Sequence, residues 1–141
     1  MKDLINLVGE VEILLNNEVV LEKKNLIVQV GKNFLASAII GSSTSPFTAI
    51  AIGTGTTAAN TADTTLEAEV VRAAFTSSSV STNVVSLSNT YAAGTGTGAI
   101  TEAGIFNNST SGGTMLSHVV FDAINKGAAD TLTINWTVTV G

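Results

Sequence analysis

The segment Thr131–Val140 does most to fix the class of fold. Leu132, Ile134, Trp136, Val138 and Val140 alternate there with Thr131, Thr133, Asn135, Thr137 and Thr139. A period of two is the signature of a strand, and it sends every apolar side chain to one face. That face must be buried, while the threonine face can meet water or a partner.

The same rhythm recurs upstream. Val84–Tyr91 reads as a strand and Ala92–Gly98 as a Gly/Thr loop. Ala99–Asn107 and Thr114–Asp122 read as a hairpin closed by the Ser109–Gly113 loop. Near the N-terminus, Val11, Ile13 and Leu15 alternate up to Asn16-Asn17, residues that tolerate the positive φ of a tight turn. The chain resumes with Val19–Leu21, then charged Glu22–Lys24, then a short strand at Asn25–Val28. Phe47–Ile52 alternates as a strand before Gly53–Thr57 breaks it. Asp63 is placed to cap a short helical turn running to Glu69, and Val70–Phe75 returns to strand. One helix is expected, about 31–40: Phe34, Leu35, Ala38 and Ile39 fall at helical spacing and Gly41 suits a left-handed cap. Short strands, Gly-rich turns and one helix predict a mainly β fold, an antiparallel β-sandwich or jelly-roll-like barrel.

At 141 residues the chain is one domain's worth, 1–141, large enough to bury a core without staples. It has no cysteine, which excludes disulfides, thiolate metal sites and cysteine nucleophiles together. Only 12% of residues are charged, and Ser, Thr and Asn carry the polarity instead. With six Lys and Arg against a net charge of -5, no basic stripe exists to neutralise phosphates, so no nucleic-acid partner is expected. The apolar stretches Leu26–Val30 and Leu35–Ile40 are far short of a membrane helix, so no membrane partner is expected either. Met1–Asn6 lacks the uniformly apolar run of a signal peptide, which suggests synthesis and assembly inside a cell.

The candidate chemical groups are few. Gly53–Thr57 and Gly94–Gly98 lack the lysine and the following helix of a phosphate loop, and read as turns. His118 is the single histidine, mid-strand, and is expected at the surface or at a subunit or capsid contact. Asp63, Glu67 and Glu69 cluster, but neither the spacing nor the glycine of an EF-hand is present. With 5% aromatics, a carboxylate pair flanked by sugar platforms is a weak reading. Arg72 is the single arginine. Beside Glu69, and with Glu102 as a candidate partner from the central hairpin, it is expected to form a fold-fixing ion pair. No catalytic residue, metal or cofactor is expected. Apolar Leu4, Ile5 and Leu7 make residues 1–8 either an arm that adds to a neighbouring subunit or the first strand of the domain's own sheet.

Several runs of residues carry a resemblance: Asn25–Val28 before a helix opening at Gly31; Ile50-Ala51-Ile52-Gly53-Thr54-Gly55-Thr56; Leu66–Glu69 with Arg72. Ile100–Phe106, Met115–His118 and the threonine-faced strand around Trp136 complete it. In this order the chain resembles small structural proteins of tailed bacteriophages, among them capsid decoration or cement proteins and related tail and collar fibre modules. The resemblance covers nearly the whole chain and implies a sandwich or jelly-roll fold, frequently a trimer, with no catalytic residues. It implies a protein made in the host cytoplasm and located on the capsid surface of the virion. Its partners would be copies of itself and the major capsid protein. The alternative is a tail fibre, collar or tail-tip adhesion module that binds the host surface.

Overall fold

The computed structural model describes residues 5–141 and is built from two five-stranded antiparallel sheets packed face to face. The first sheet has the order β2 (Glu18–Lys24), β1 (Leu7–Leu15), β10 (Leu132–Val140), β7 (Val84–Tyr91), β6 (Ser77–Ser81). The second has the order β3 (Leu26–Ile27), β9 (Met115–Lys126), β8 (Gly98–Phe106), β4 (Ala49–Gly53), β5 (Glu69–Ala74). Both sheets are open, so the fold is a sandwich and not a closed barrel.

The alternation read from the sequence becomes the core. Leu132, Ile134, Trp136 and Val138 of β10 are buried together with Val11, Ile13, Leu87 and Tyr91 of their own sheet. Ile50, Ile52, Ile100, Ala103, Ile105 and Val119 of the second sheet pack in the same cluster. Trp136 satisfies its one polar atom by donating Nε1–H to Asn25 Oδ1 at 3.1 Å. Asn16 and Asn17 take φ of 51° and 68° and turn β1 into β2, the geometry that two-residue hairpins need.

The second sheet is covered on its outer face too. Val28, Ala51, Leu66, Phe106 and Met115 form a smaller apolar cluster there. β4 is therefore buried along its whole length, its isoleucines facing one layer and Ala51 the other. The helix α1 (Gln29–Ile39) lies against β9. It begins two residues earlier than the spacing of Phe34, Leu35 and Ile39 suggests, because the loop supplies a partner: Gln29 N–H donates to the Thr61 carbonyl at 2.8 Å. Its end follows the sequence signal. Gly41 has φ 75°, Gly41 N–H donates to the Ala38 carbonyl and Ser42 N–H to that of Ser37, the paired closure of a Schellman motif.

One expectation is corrected, and one strand carries no signal in the sequence. Residues 63–69 form no helical turn, because the Asp63 carboxylate is held by Asn60 N–H and by His118 instead of capping the residues that follow it. The strand β6, a run of serines around Val80, had no apolar alternation to announce it; it exists because Ser77–Ser81 pair with Val84–Ser88. The chain crosses between sheets just before it, and that corner is tied by Asn89. Asn89 accepts from Thr76 N–H at 2.9 Å and donates to the Ala73 carbonyl at 2.8 Å, while Tyr91 O–H donates to Ile50 O at 2.6 Å.

Helix propensity and packing make opposite demands at Gly31. In an exposed helix, Gly→Ala gains about 1 kcal/mol. Here a Cβ would stand 2.6 Å from the Leu116 carbonyl oxygen and 2.8 Å from its Cα, both backbone atoms that cannot swing aside. Gly31→Ala is therefore expected to destabilise by about 1–3 kcal/mol in chemical denaturation; a stabilised variant would show that α1 does not press on β9.

Candidate functional site

The most concentrated chemistry in the molecule lies on the outer face of the second sheet. The β8–β9 register shifts between Ile100 and Glu102. Ile100 and Ala103 both join the core across that shift, which turns Glu102 outward beneath the 54–68 loop. There Glu102 is fully buried. Its Oε2 accepts from Gly55 N–H and Ala68 N–H, each at 2.8 Å, and its Oε1 from Glu67 N–H at 3.0 Å. His118 Nε2 lies 2.9 Å from the same Oε1. Thr101 adds a bond from its hydroxyl to the Gly55 carbonyl at 2.6 Å. One carboxylate thus holds both ends of the loop. Gly55 has to be glycine for this, since a Cβ would overlap the Glu102 carboxylate and the Glu67 side chain.

The other imidazole nitrogen, Nδ1, lies 2.7 Å from Asp63 Oδ2, so His118 bridges two carboxylates. Both nitrogens are committed, and none is left to take a proton from a bound molecule. The residue is 3% exposed, which corrects its expected place at a surface or subunit contact. The three acidic and imidazole groups form a line and do not converge; among the described residues no cluster of three or more His, Cys, Asp or Glu is placed to hold a metal ion. The arrangement is a latch: it fixes a glycine-rich loop over a sheet.

Arg72 forms a second tie. Its guanidinium grips Glu69 through Nη2–Oε1 at 2.7 Å and Nε–Oε2 at 3.2 Å. Nη1 donates to the carbonyls of Asn108 at 3.0 Å and Gly112 at 2.7 Å, and the group stacks 3.8 Å from the centre of the Phe106 ring. Glu102 is not its partner, as the sequence reading had it. Arg72 shares the outer face with Glu102 but sits over Phe106, and the acceptor capacity of Glu102 is taken up by the His118 imidazole and three backbone amides.

The remaining contact residues are scattered. Ile5 is 69% exposed, whereas Leu7 is half-buried and opens β1, paired with Val140, so residues 7–8 belong to the domain's own sheet. Leu4 lies outside the described residues. In the sequence Asp63 is one acid of a cluster, and no local pattern marks it as the partner of a histidine fifty-five positions on. Nothing in the sequence around Lys126 signals its role. It is 1% exposed and donates to the carbonyls of Ala92 at 2.9 Å and Asp130 at 2.7 Å, closing the loops at one end of the sandwich. On the outer face of the first sheet a polar row runs across three strands, from Ser88 through Asn135 to Glu12.

Replacing Glu102 by Ala would leave three amides and an imidazole buried without an acceptor, a change expected to cost about 3–5 kcal/mol. Asp63→Ala, at a side chain 27% exposed, should cost less than half of that; equal losses in paired denaturation curves would contradict the latch. Glu67 lies at the rim, where bonds from the Thr57 side chain, then Thr56 N–H, hold its carboxyl below the ordinary range. A lowered folded-state pKa means that its contribution is complete above the ordinary value near 4.5 and is lost as pH falls through the folded value. Glu67→Gln should therefore lower the neutral plateau of the stability profile slightly and flatten its acid limb, the two curves converging at acid pH where the parent carboxyl is protonated.

No protein-family model, curated protein or solved structure matches this chain.

Proposed function

We propose that this chain is a virion structural protein of a tailed bacteriophage, a capsid decoration protein that binds the assembled head and reinforces the shell through non-covalent contacts. The observation that carries the reading is where the chemistry goes. Glu102, His118, Arg72 and Lys126 are all buried or nearly so; Glu102, Arg72 and Lys126 hold backbone in place, and His118 braces Glu102 against Asp63. The runs that carry the phage resemblance contribute all of these ties but that of Lys126: Gly55 and Thr56, Leu66–Glu69 with Arg72, Ile100–Phe106, and Met115–His118. Such a protein presents fixed loops and one open sheet face, that of the first sheet, charged on β1 and β2 and hydroxyl-rich on β7 and β10; its uncharged part suits hydrogen bonding and burial against other protein. The reading includes self-association, with the major capsid protein as the other partner.

The adhesion alternative calls for exposed rings on which sugars can stack. Tyr91 and Trp136, the two large polar-tipped rings, are 1% and 0% exposed, which favours the head over a glycan-binding tip.

Mixing the purified chain with undecorated capsids and separating by sedimentation tests the proposal. Stoichiometric, saturable binding that raises the melting temperature of the shell is expected; a chain that stays wholly in the supernatant contradicts it.

A further inference from the structure

Among the described residues the two sheets end in four edge strands, and three of them are blunted. β2 carries Glu18, Glu22, Lys23 and Lys24 and a register shift against β1. β3 is two residues long. β5 carries Glu69 and Arg72 with a register shift at its end, and its Ala73 carbonyl is taken by Asn89. Charges, bulges and shortness are the devices by which sheets avoid pairing with other chains. β6 has none of them. Ser77-Ser78-Ser79-Val80-Ser81 is exposed at every residue, bears no charge and no proline, and pairs in unbroken register with β7 on one side only.

We propose that β6 is a self-association edge, and that two copies of this chain join there by antiparallel β6–β6 pairing about a two-fold axis through Ser79. The sequence of the strand fits a second copy of itself. Centred on Ser79, the pairing sets Ser77 opposite Ser81 and Ser78 opposite Val80, twice each by symmetry, with Ser79 facing Ser79. The register of β6 on β7 places Ser77, Ser79 and Ser81 on one face, beside Ser88, Ser86 and Val84. A serine ladder would thus run across the junction on that face, with cross-strand hydroxyl bonds. On the opposite face each Val80, now 70% exposed, gains a cover. An uncharged edge meets its own copy without repulsion, although the chain as a whole carries a net charge of -5. The product is one continuous ten-stranded sheet made of two five-stranded ones, an isologous contact that closes with two copies. This state is independent of the capsid reading and differs from the trimer that the phage resemblance implies.

The chain contains no cysteine, which makes the test clean. In Ser79→Cys the two thiols would face each other across the axis. Directly opposed antiparallel residues have Cα atoms roughly 4.5–5.5 Å apart, within disulfide reach. Mild oxidation is expected to give a covalent dimer, whereas Ser86→Cys, one strand further in, should stay uncross-linked. In sedimentation equilibrium the parent chain should run as a concentration-dependent dimer and Ser79→Lys as a monomer, with the circular dichroism spectrum of the fold retained. A monomer or trimer for the parent, a dimer that survives Ser79→Lys, or cross-linking equal at both cysteine positions would overturn the proposal. So would a monomeric parent whose capsid binding is lost in Ser79→Lys, since the edge would then belong to a capsid subunit.

Discussion

The loop that covers the outer face of the second sheet depends on one buried carboxyl group. Glu102 is a carboxyl group taken out of water, which is costly unless its oxygens find donors. Its partners are three amides from the two ends of one loop and an imidazole from the neighbouring strand. That compensation runs in both directions. The loop has no helix or strand of its own between β4 and β5, so it keeps its shape because the carboxylate organises it. With the loop in place Leu66 reaches the second apolar cluster and rests over Gly104, where a Cβ would come within 3.0 Å of it.

The same logic explains why so hydroxyl-rich a chain can be rigid. With few charges available, the buried ones each make several bonds: Arg72 ties Glu69, two loop carbonyls and a ring, and Lys126 ties two loops. The Arg72–Glu69 pair has a glutamate side chain 31% exposed, so the bonds to the loop carbonyls and the ring carry the tie more than the ion pair does. Rigid loops over an open sandwich present a fixed surface, and a fixed surface lowers the ordering cost of association. The polar interior thereby bears on the proposed structural role.

The fold was legible wherever one face of a strand is buried. β10, β7, the β8–β9 hairpin and the Asn16-Asn17 turn all announce themselves through alternation or turn chemistry. β6 does not, since both of its faces are wet and serine alternates with nothing. Its turn is also atypical, with the β-branched Thr82 at φ 56° where asparagine or glycine is the usual sign. The site was half legible. Glu69 and Arg72 are three residues apart and their pairing is a local matter. Glu102, His118 and Asp63 come from three separate segments, and their meeting depends on the β8–β9 register and on the path of a loop without periodicity. Burial of the histidine was the decisive missing fact, because a lone mid-strand His between Ser117 and Val119 gives no sign of which side is covered.

The most direct test of the latch is native-state hydrogen exchange at three amides, those of Gly55, Glu67 and Ala68. Loop amides ordinarily open at little cost, whereas core amides exchange only through global unfolding. If Glu102 holds the loop, all three should exchange as slowly as amides of β8. Exchange of all three at the rate of exposed loop amides such as that of Ser45 would contradict the idea that a buried carboxyl group fixes this face.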